Sequence, residues 1–353
     1  MKKEDNRQNS QIQEELAAEQ QGSDAELKNP EEMDDIEKWH LLSTVANLYY
    51  NSEMTQDQIA NRIYTSRSKI SRMLKEAREL GIVEIQIHEP WDRKMVLEQR
   101  IQEYFPLKQI RVISVRENNL SLVLQKLGET AAYYLDTVVD RDTVLGISWG
   151  NTIYHTVRAI KSNKNIPLTV VPIMGAASIS KPERDSLDLA KDMAASYGGK
   201  YRYIYAPLFV KTKELREELI QDPNIMDVLN LARSANIILT SVGSIVYKTW
   251  KDYMSLQTLE ALEKEGAVGH ICGHFYDREG REVRSSLADR MIGIQLEDLK
   301  KAQDVICVAG MEEKAEAILG VLRGGYIDTL ITDEFAAARL LELLENGTYG
   351  VND

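Results

Sequence analysis

Thr55-Gln56-Asp57-Gln58-Ile59-Ala60-Asn61-Arg62-Ile63-Tyr64-Thr65-Ser66-Arg67-Ser68-Lys69-Ile70-Ser71-Arg72-Met73-Leu74-Lys75-Glu76-Ala77-Arg78-Glu79-Leu80 is the stretch that decides how this chain is organised. Thr55 with Gln58 fits a capping box, in which the threonine hydroxyl caps a helix start and the glutamine folds back on it. The spacing predicts a short helix through Ile63 with Ile59 and Ile63 inward, then a turn at Tyr64-Thr65. A second helix is expected from Ser66 to Leu80, ended by Gly81. Ile70, Met73, Leu74 and Ala77 fall at i, i+3, i+4 and i+7 and form one stripe. Ser68, Ser71, Arg72 and Lys75 repeat that spacing on roughly the opposite face, so one side packs and the other presents hydroxyls and cations. Duplex DNA calls for that combination: Arg and Lys neutralise phosphates or reach guanine edges, and Ser bonds phosphate or base without bulk. A short helix, a tight turn and a basic helix make a helix-turn-helix. Its candidate DNA contacts are Thr55, Gln56, Ser66, Arg67, Ser68, Lys69, Ser71, Arg72 and Lys75. The competing reading is a solvated basic face on an ordinary helical bundle.

Upstream, Ile36 to Tyr50 carries Trp39, Leu42, Ala46 and Tyr49 at helical spacing, and Asn51 closes it. Downstream, Ile82 to Ile87 alternates with period two and reads as a strand, the wing. Residues 36–90 are therefore expected to form a winged helix-turn-helix domain. Before it, residues 1–37 hold Lys2, Lys3, Arg7 and Lys28 against twelve acidic residues, a net charge of −8. Few large apolar residues accompany them, so residues 1–35 are expected to be a disordered acidic tail. From Arg62 to Arg78, six cations stand against Glu76 alone, +5 within 17 residues.

The whole chain has 353 residues, 43% hydrophobic and 28% charged, which suits a globular protein with a buried core and excludes collagen-like or coiled-coil classes. Spread evenly, its net charge of −12 would repel polyanions. It divides instead into −8 in the tail, +2 across residues 38–94 and −6 in the remainder, so DNA is expected to be touched at one small surface. Cys272 and Cys307 cannot build a disulfide framework, and no run of about 18 apolar residues offers a membrane span. With no apolar core in the N-terminal segment to make a signal peptide, a cytoplasmic location is expected.

After Pro90 and Trp91, apolar runs alternate with amphipathic helices. Ile110 to Val115, Thr143 to Ile147, Leu168 to Ile173, Ile237 to Ser241, Val305 to Ala309 and Thr329 to Thr332 read as strands of an α/β domain over residues 91–353. Its sheet should be mainly parallel, with ligands beyond the carboxyl ends of the strands. Five loops there carry candidate groups. Gly146, Ser148, Gly150, Asn151 and Thr152 lie on a strand-to-helix junction, where free N–H groups and hydroxyls suit an anion. Gly175, Ser241 and Gly243 add small groups at two further strand ends, and Asp277 could accept hydrogen bonds from sugar hydroxyls or be a turn aspartate. Lys314 falls in the first turn of a helix, which the helix dipole disfavours unless an anion shares the site. It could equally be a surface lysine paired with a nearby glutamate.

Two enzymatic alternatives stand beside this. Gly146-Ile147-Ser148-Trp149-Gly150 matches the nucleophile-elbow pattern of serine hydrolases, although His155, His270 and His274 are hard to place as its base. A sugar-phosphate isomerase would need an acid/base pair, for which only Asp277 with His270 or His274 presents itself. In one continuous strand, His270, Cys272 and His274 would share a face at a spacing able to hold zinc, but no fourth ligand is evident. No metal or cofactor is assigned.

Residues 39–87 resemble the DNA-binding domain of the SorC-type sugar-responsive transcriptional regulators, which are grouped with the DeoR-type regulators. VLGISWGNT, VVPIMGA, ILTSVGSI, GAVGHICGHFYD, VAGMEEKAEAILGVLRGGY and LITDEFAAARLL resemble successive landmarks of that family's effector-binding domain, so the likeness extends over roughly residues 39–345. The resemblance implies a sheet domain like those of sugar-phosphate isomerases and glucosamine-6-phosphate deaminases. It implies a repressor-type regulator of a carbohydrate-utilisation operon, working as a homodimer or homotetramer on operator DNA, with a phosphorylated sugar as effector. Gly150, Asn151, Thr152 and Lys314 would then meet the effector and its phosphate, and Asp277 the sugar. Three positions depart from the family pattern: Tyr64 and Met311 stand where glycine is common, and His270 where an acid is common.

Overall fold

The structure is a computed structural model that describes residues 35–83, 93–115, 119–161, 165–176, 186–245, 250, 254–283 and 287–348. The acidic tail apart from Asp35, and Glu84 to Ile87 of the expected wing, lie outside the described residues. The chain divides into two compact units, residues 1–88 and 89–353.

The first unit holds helices α1 (Asp35–Tyr50), α2 (Gln56–Arg62) and α3 (Arg67–Glu79). Local hydrogen bonds fix their starts. Gln58 N donates to Thr55 Oγ1 at 3.3 Å and Thr55 N donates to Gln58 Oε1 at 2.9 Å, completing the capping box. Ser66 Oγ accepts from Lys69 N at 3.3 Å and caps α3. Leu42, Val45 and Ala46 of α1 pack against Ile59, Ala60, Ile70, Met73, Leu74 and Ala77. Trp39, expected in the inward stripe, is 49% exposed, because the packed set begins one turn later at Leu42.

Between α2 and α3, Thr65 N donates to Ala60 O at 2.8 Å while Tyr64 takes φ +49, which is a Schellman ending with tyrosine in the left-handed position. A side chain there costs about 1 kcal/mol relative to glycine. Tyr64 is 95% exposed and has little packing to lose. Tyr64→Gly is therefore expected to stabilise the helical unit by about 1 kcal/mol, read as a higher urea midpoint. A lower midpoint would mean that the tyrosine side chain, not its backbone, governs the turn.

The second unit begins with α4 (Met95–Tyr104), β1 (Gln109–Ile113), α5 (Leu120–Val138), β2 (Val144–Ile147), α6 (Asn151–Ala159) and β3 (Thr169–Pro172). It continues with α7 (Ser186–Tyr197), β4 (Lys200–Tyr201), α8 (Lys213–Gln221), α9 (Pro223–Arg233), β5 (Ile237–Thr240), β6 (Val242–Ser244) and α10 (Leu256–Lys264). The last elements are β7 (Ala267–Ile271), β8 (His274–Asp277), α11 (Leu296–Leu299), β9 (Asp304–Val308), α12 (Ala315–Arg323), β10 (Thr329–Asp333) and α13 (Glu334–Thr348). All six strands expected from the sequence are present. With β4 they form a parallel sheet in the order β1-β10-β9-β5-β2-β3-β4, and β6-β7-β8 make a small antiparallel sheet beside it.

Helices cover both faces of the large sheet, which explains why its strands read as continuous apolar runs. Ile306 and Val308 of β9 point into the core shared with α5, α6 and α7. Val305 and Cys307, alternating with them, enter the core under α9, α12 and α13. One glycine sets the spacing of two helices: a Cβ at Gly128 of α5 would lie 2.6 Å from the His155 carbonyl carbon of α6. Alanine normally favours a helix over glycine by about 1 kcal/mol, but here it meets backbone that cannot rotate aside. Gly128→Ala should destabilise the second unit by about 1–3 kcal/mol, measured by urea unfolding. A gain in stability would show that α5 and α6 can separate freely.

Candidate functional site

The carboxyl ends of β2, β5 and β9 are neighbours in the large sheet, and β6, which follows β5 directly, packs against the 3-10 turn after β9, so the loops after these strands lie side by side. At the end of β2, Ser148 N donates to Leu239 O at 3.0 Å, which turns the serine side chain inward. Its Oγ is buried and has no hydrogen-bond partner among the described residues. Gly150 then takes φ +127 and caps α6, leaving Asn151 exposed and Thr152 buried in the first turn. Open space surrounds Gly150 where a Cβ would stand, so its backbone is accessible to a ligand.

Gly146 and Gly175 have a different duty. A Cβ on Gly146 would come within 2.7 Å of Ile173 Cγ2, and one on Gly175 within 2.6 Å of Pro207 O. Both glycines allow close packing behind the rim and present nothing to a ligand. Ser241 lies at the end of β5, its hydroxyl donating to Val242 O at 3.3 Å. Gly243 sits directly beneath the His270 ring, since a Cβ there would fall on His270 Nε2.

The loop after β9 supplies the charge. Met311 takes φ +79, and its N–H donates to Asp333 Oδ2 at 2.5 Å. A short 3-10 turn, Glu312–Lys314, leads into α12 and packs against β6. Lys314 is the N-cap residue of α12, and its ammonium has no ion pair or hydrogen bond among the described residues. The glutamate-paired alternative is therefore absent there. Burial pulls the Lys314 pKa below the ordinary lysine range, against the opposing pull of Cys307 and Asp333. Burial, with a smaller push from Lys314, lowers His270 to about 3, so its imidazole is neutral. Its buried Nε2 has no hydrogen-bond partner among the described residues.

An aromatic wall adjoins these groups. Trp250 stands 4.8 Å from the His270 ring, 5.6 Å from Phe275, 5.7 Å from Phe209 and 5.8 Å from Trp149. Sequence reasoning missed Trp250, Phe209 and Phe275 as neighbours of the site, because only the tertiary fold gathers them. It also missed Asp333, whose carboxylate holds Met311 N and caps α13 through Phe335 N and Ala336 N. An acid between a strand end and a helix start was the available signal.

Two expectations change. Cys272 (φ +52) and Gly273 (φ +86) form a two-residue hairpin turn, so His270 pairs with Phe275 and His274 with Ile271. The two histidines consequently face opposite sides, and the three-residue metal spacing is lost. His274 is occupied by Glu282 Oε1 at 2.6 Å and Ile294 O at 2.9 Å. Among the described residues, no group of three or more His, Cys, Asp or Glu side chains could hold a metal. Asp277 ends β8 far along the hairpin, opposite Ala267, and accepts from Glu279 N, Arg281 N and Arg281 Nε at 2.9 Å each. Burial would raise its carboxyl, but the Arg281 and Glu279 bonds hold it below the usual range. The structure thus gives Asp277 a turn-stabilising duty and does not bring it together with Lys314.

The nucleophile-elbow reading also lacks its geometry. Ser148 is not among the left-handed residues, and its hydroxyl touches no histidine among the described residues. In the helical unit, Thr55, Ser66, Arg67, Ser68, Ser71, Arg72 and Lys75 are exposed, with Gln56 and Lys69 half-buried, so the expected basic face is open. Among the described residues, no helix is long and apolar enough to cross a membrane.

Comparison with known proteins gives a consistent result. The profile of the Sugar-bind family, a sugar-binding domain, matches residues 89–342. The deoxyribonucleoside regulator of Bacillus subtilis (strain 168) is 30% identical over 314 residues, covering 87% of this chain and 99% of that protein. The sorbitol operon regulator of Klebsiella pneumoniae is 29% identical, covering 88% of this chain and all of the relative. The crystal structure of full-length SorC, the sorbitol operon regulator from Klebsiella pneumoniae, superposes with a TM-score of 0.68 at 28% identity, over 88% of this chain and 99% of that one. A DeoR family transcriptional regulator from Listeria monocytogenes superposes with a TM-score of 0.64 at 26% identity, over 70% of this chain and 98% of that one.

Proposed function

The chain belongs to the SorC- and DeoR-type transcriptional regulators that carry the Sugar-bind domain, and from that premise we propose that a phosphorylated sugar bound at the Lys314 site sets its affinity for operator DNA. It is a regulator and not an enzyme. One observation carries the ligand reading: the half-buried Lys314 ammonium stands at a helix start without an ion pair or hydrogen bond among the described residues. A phosphate would supply an anion for Lys314 and could accept from N–H groups of the helix start beyond Gly150. On this reading Ser148, Asn151, Thr152, Ser241 and the Gly243 backbone would line the effector's position, and His270 with Trp250 would meet its sugar.

DNA is met by Thr55, Gln56, Ser66, Arg67, Ser68, Lys69, Ser71, Arg72 and Lys75. One such module offers few base contacts, so a homodimer or homotetramer on repeated half-sites gives the specificity a repressor of a carbohydrate operon needs. Such a regulator works in the cytoplasm, where its operator lies. The test is a thermal-shift series in which sugar phosphates are compared with the same sugars lacking phosphate. Only phosphorylated ligands should raise the melting temperature, and the active one should change operator affinity. Equal shifts with and without phosphate would refute the anion site.

A further inference from the structure

We propose that the basic face of α3 is a docking surface for the acidic segment Glu14 to Asp34 of the same chain, which competes with DNA for it. This rests on the DNA-contacting reading of α3. The surface itself is incompletely neutralised. Lys69, Arg72 and Arg78 have no ion-pair partner among the described residues, while Arg67 reaches Asp57 only at 4.0 Å and Lys75 reaches Glu79 at 3.5 Å. Both of these pairs are well exposed and hold their charges weakly.

The proposed occupant is complementary. Between Glu14 and Asp34, eight carboxylates (Glu14, Glu15, Glu19, Asp24, Glu26, Glu31, Glu32 and Asp34) stand against Lys28 alone, a net charge of −7. Its point of attachment is also favourable. The segment joins α1 at Asp35, and Lys38 Nζ of α1 pairs with Glu76 Oε1 of α3 at 2.5 Å. The segment therefore leaves the fold beside the third turn of α3. From Arg67 to Arg78 the basic face runs about 17 Å along the helix. A random-coil chain of 21 residues averages about 25 Å end to end, so a segment of this length is long enough for its carboxylates to reach the whole face. Tethering holds them at an effective concentration of order millimolar, and no free polyanion of equal intrinsic affinity competes well until it exceeds that level.

Random-sequence DNA binds such a face through charge alone, whereas an operator adds base contacts. The segment thus removes nonspecific binding first and sharpens discrimination. The test compares the full-length wild type with a full-length variant carrying Glu14→Gln, Glu15→Gln, Glu19→Gln, Asp24→Asn and Glu26→Gln. The variant should bind random duplex about tenfold tighter at 50 mM salt, with most of the gain gone at 300 mM, and should melt at an unchanged temperature. Equal affinity of the two proteins would overturn the proposal. A second readout needs no DNA: carbodiimide coupling should link Lys69 or Lys75 to the segment's carboxylates, and added duplex should suppress the links. Links absent, or formed only between isotopically distinct copies, overturn intramolecular docking even if DNA binding is intact. Links present in a chain that binds no DNA would instead remove the DNA reading and leave the contact.

Discussion

Arg72→Ala is expected to lower operator affinity about tenfold to a hundredfold, the effect of losing one good base-edge contact worth about 1–3 kcal/mol. Arg72 is exposed on α3 and has no ion-pair partner among the described residues, so its removal breaks nothing within the protein. Alanine is at least as good a helix former, and the melting temperature should stay where it was. Lys75→Ala makes the internal control. Lys75 already leans on Glu79, and as a phosphate contact its loss should weaken operator and random DNA alike while reducing the salt slope by about one. Fluorescence titrations against both duplexes read these differences. Operator affinity unchanged in Arg72→Ala, with an unchanged salt slope, would move the DNA surface away from α3.

The larger effect belongs to Lys314→Met, which should reduce affinity for the phosphorylated effector a hundredfold or more, corresponding to about 3 kcal/mol for truncating one side of a desolvated charge pair. The unliganded protein should respond in the opposite direction. Its half-buried ammonium has no ion pair among the described residues, and replacing it with an apolar side chain of similar length removes a desolvation cost. Weaker binding together with equal or higher stability is a signature that simple misfolding cannot produce. Calorimetry with the effector, beside thermal unfolding without it, measures both.

A pH dependence accompanies this. Because the folded protein releases the Lys314 proton more readily than the unfolded chain does, stability without ligand rises with pH through the lowered pKa towards the ordinary lysine value. Effector affinity falls over the same window, since the phosphate needs the charged form. Both slopes should flatten in Lys314→Met. Wild-type affinity in the variant would take Lys314 out of the site.

The helical unit was legible almost to the residue because its signals are local. A capping box, a serine cap and an apolar stripe lie within a few residues of what they determine. The large sheet was legible for a different reason, since strands buried on both faces are apolar throughout. Loops were less readable. Gly146 and Gly175 look the same in sequence as Gly150, yet two serve packing and one is open, a distinction made by neighbours distant in the chain. The continuous strand through His270 and His274 was not what forms, because a left-handed Cys272 is uncommon, and a hairpin turn there puts the two histidines on opposite faces. Trp250 belongs to a wall assembled from four separate segments, which no local spacing encodes.

The pairing of β1 with β10 joins Gln109 to Thr329, residues more than two hundred positions apart. Such a contact cannot form on the ribosome until nearly the whole chain has emerged, and closing so long a loop is slow. The helical core, by contrast, draws its buried residues from Leu42 to Ala77 and can be complete early. Synthesis therefore passes through a stage in which a finished DNA reader is tethered to an unfinished sensor. A chain stopped before Thr329 would stay at that stage, with β1 lacking its strand partner and β9 left as an open edge.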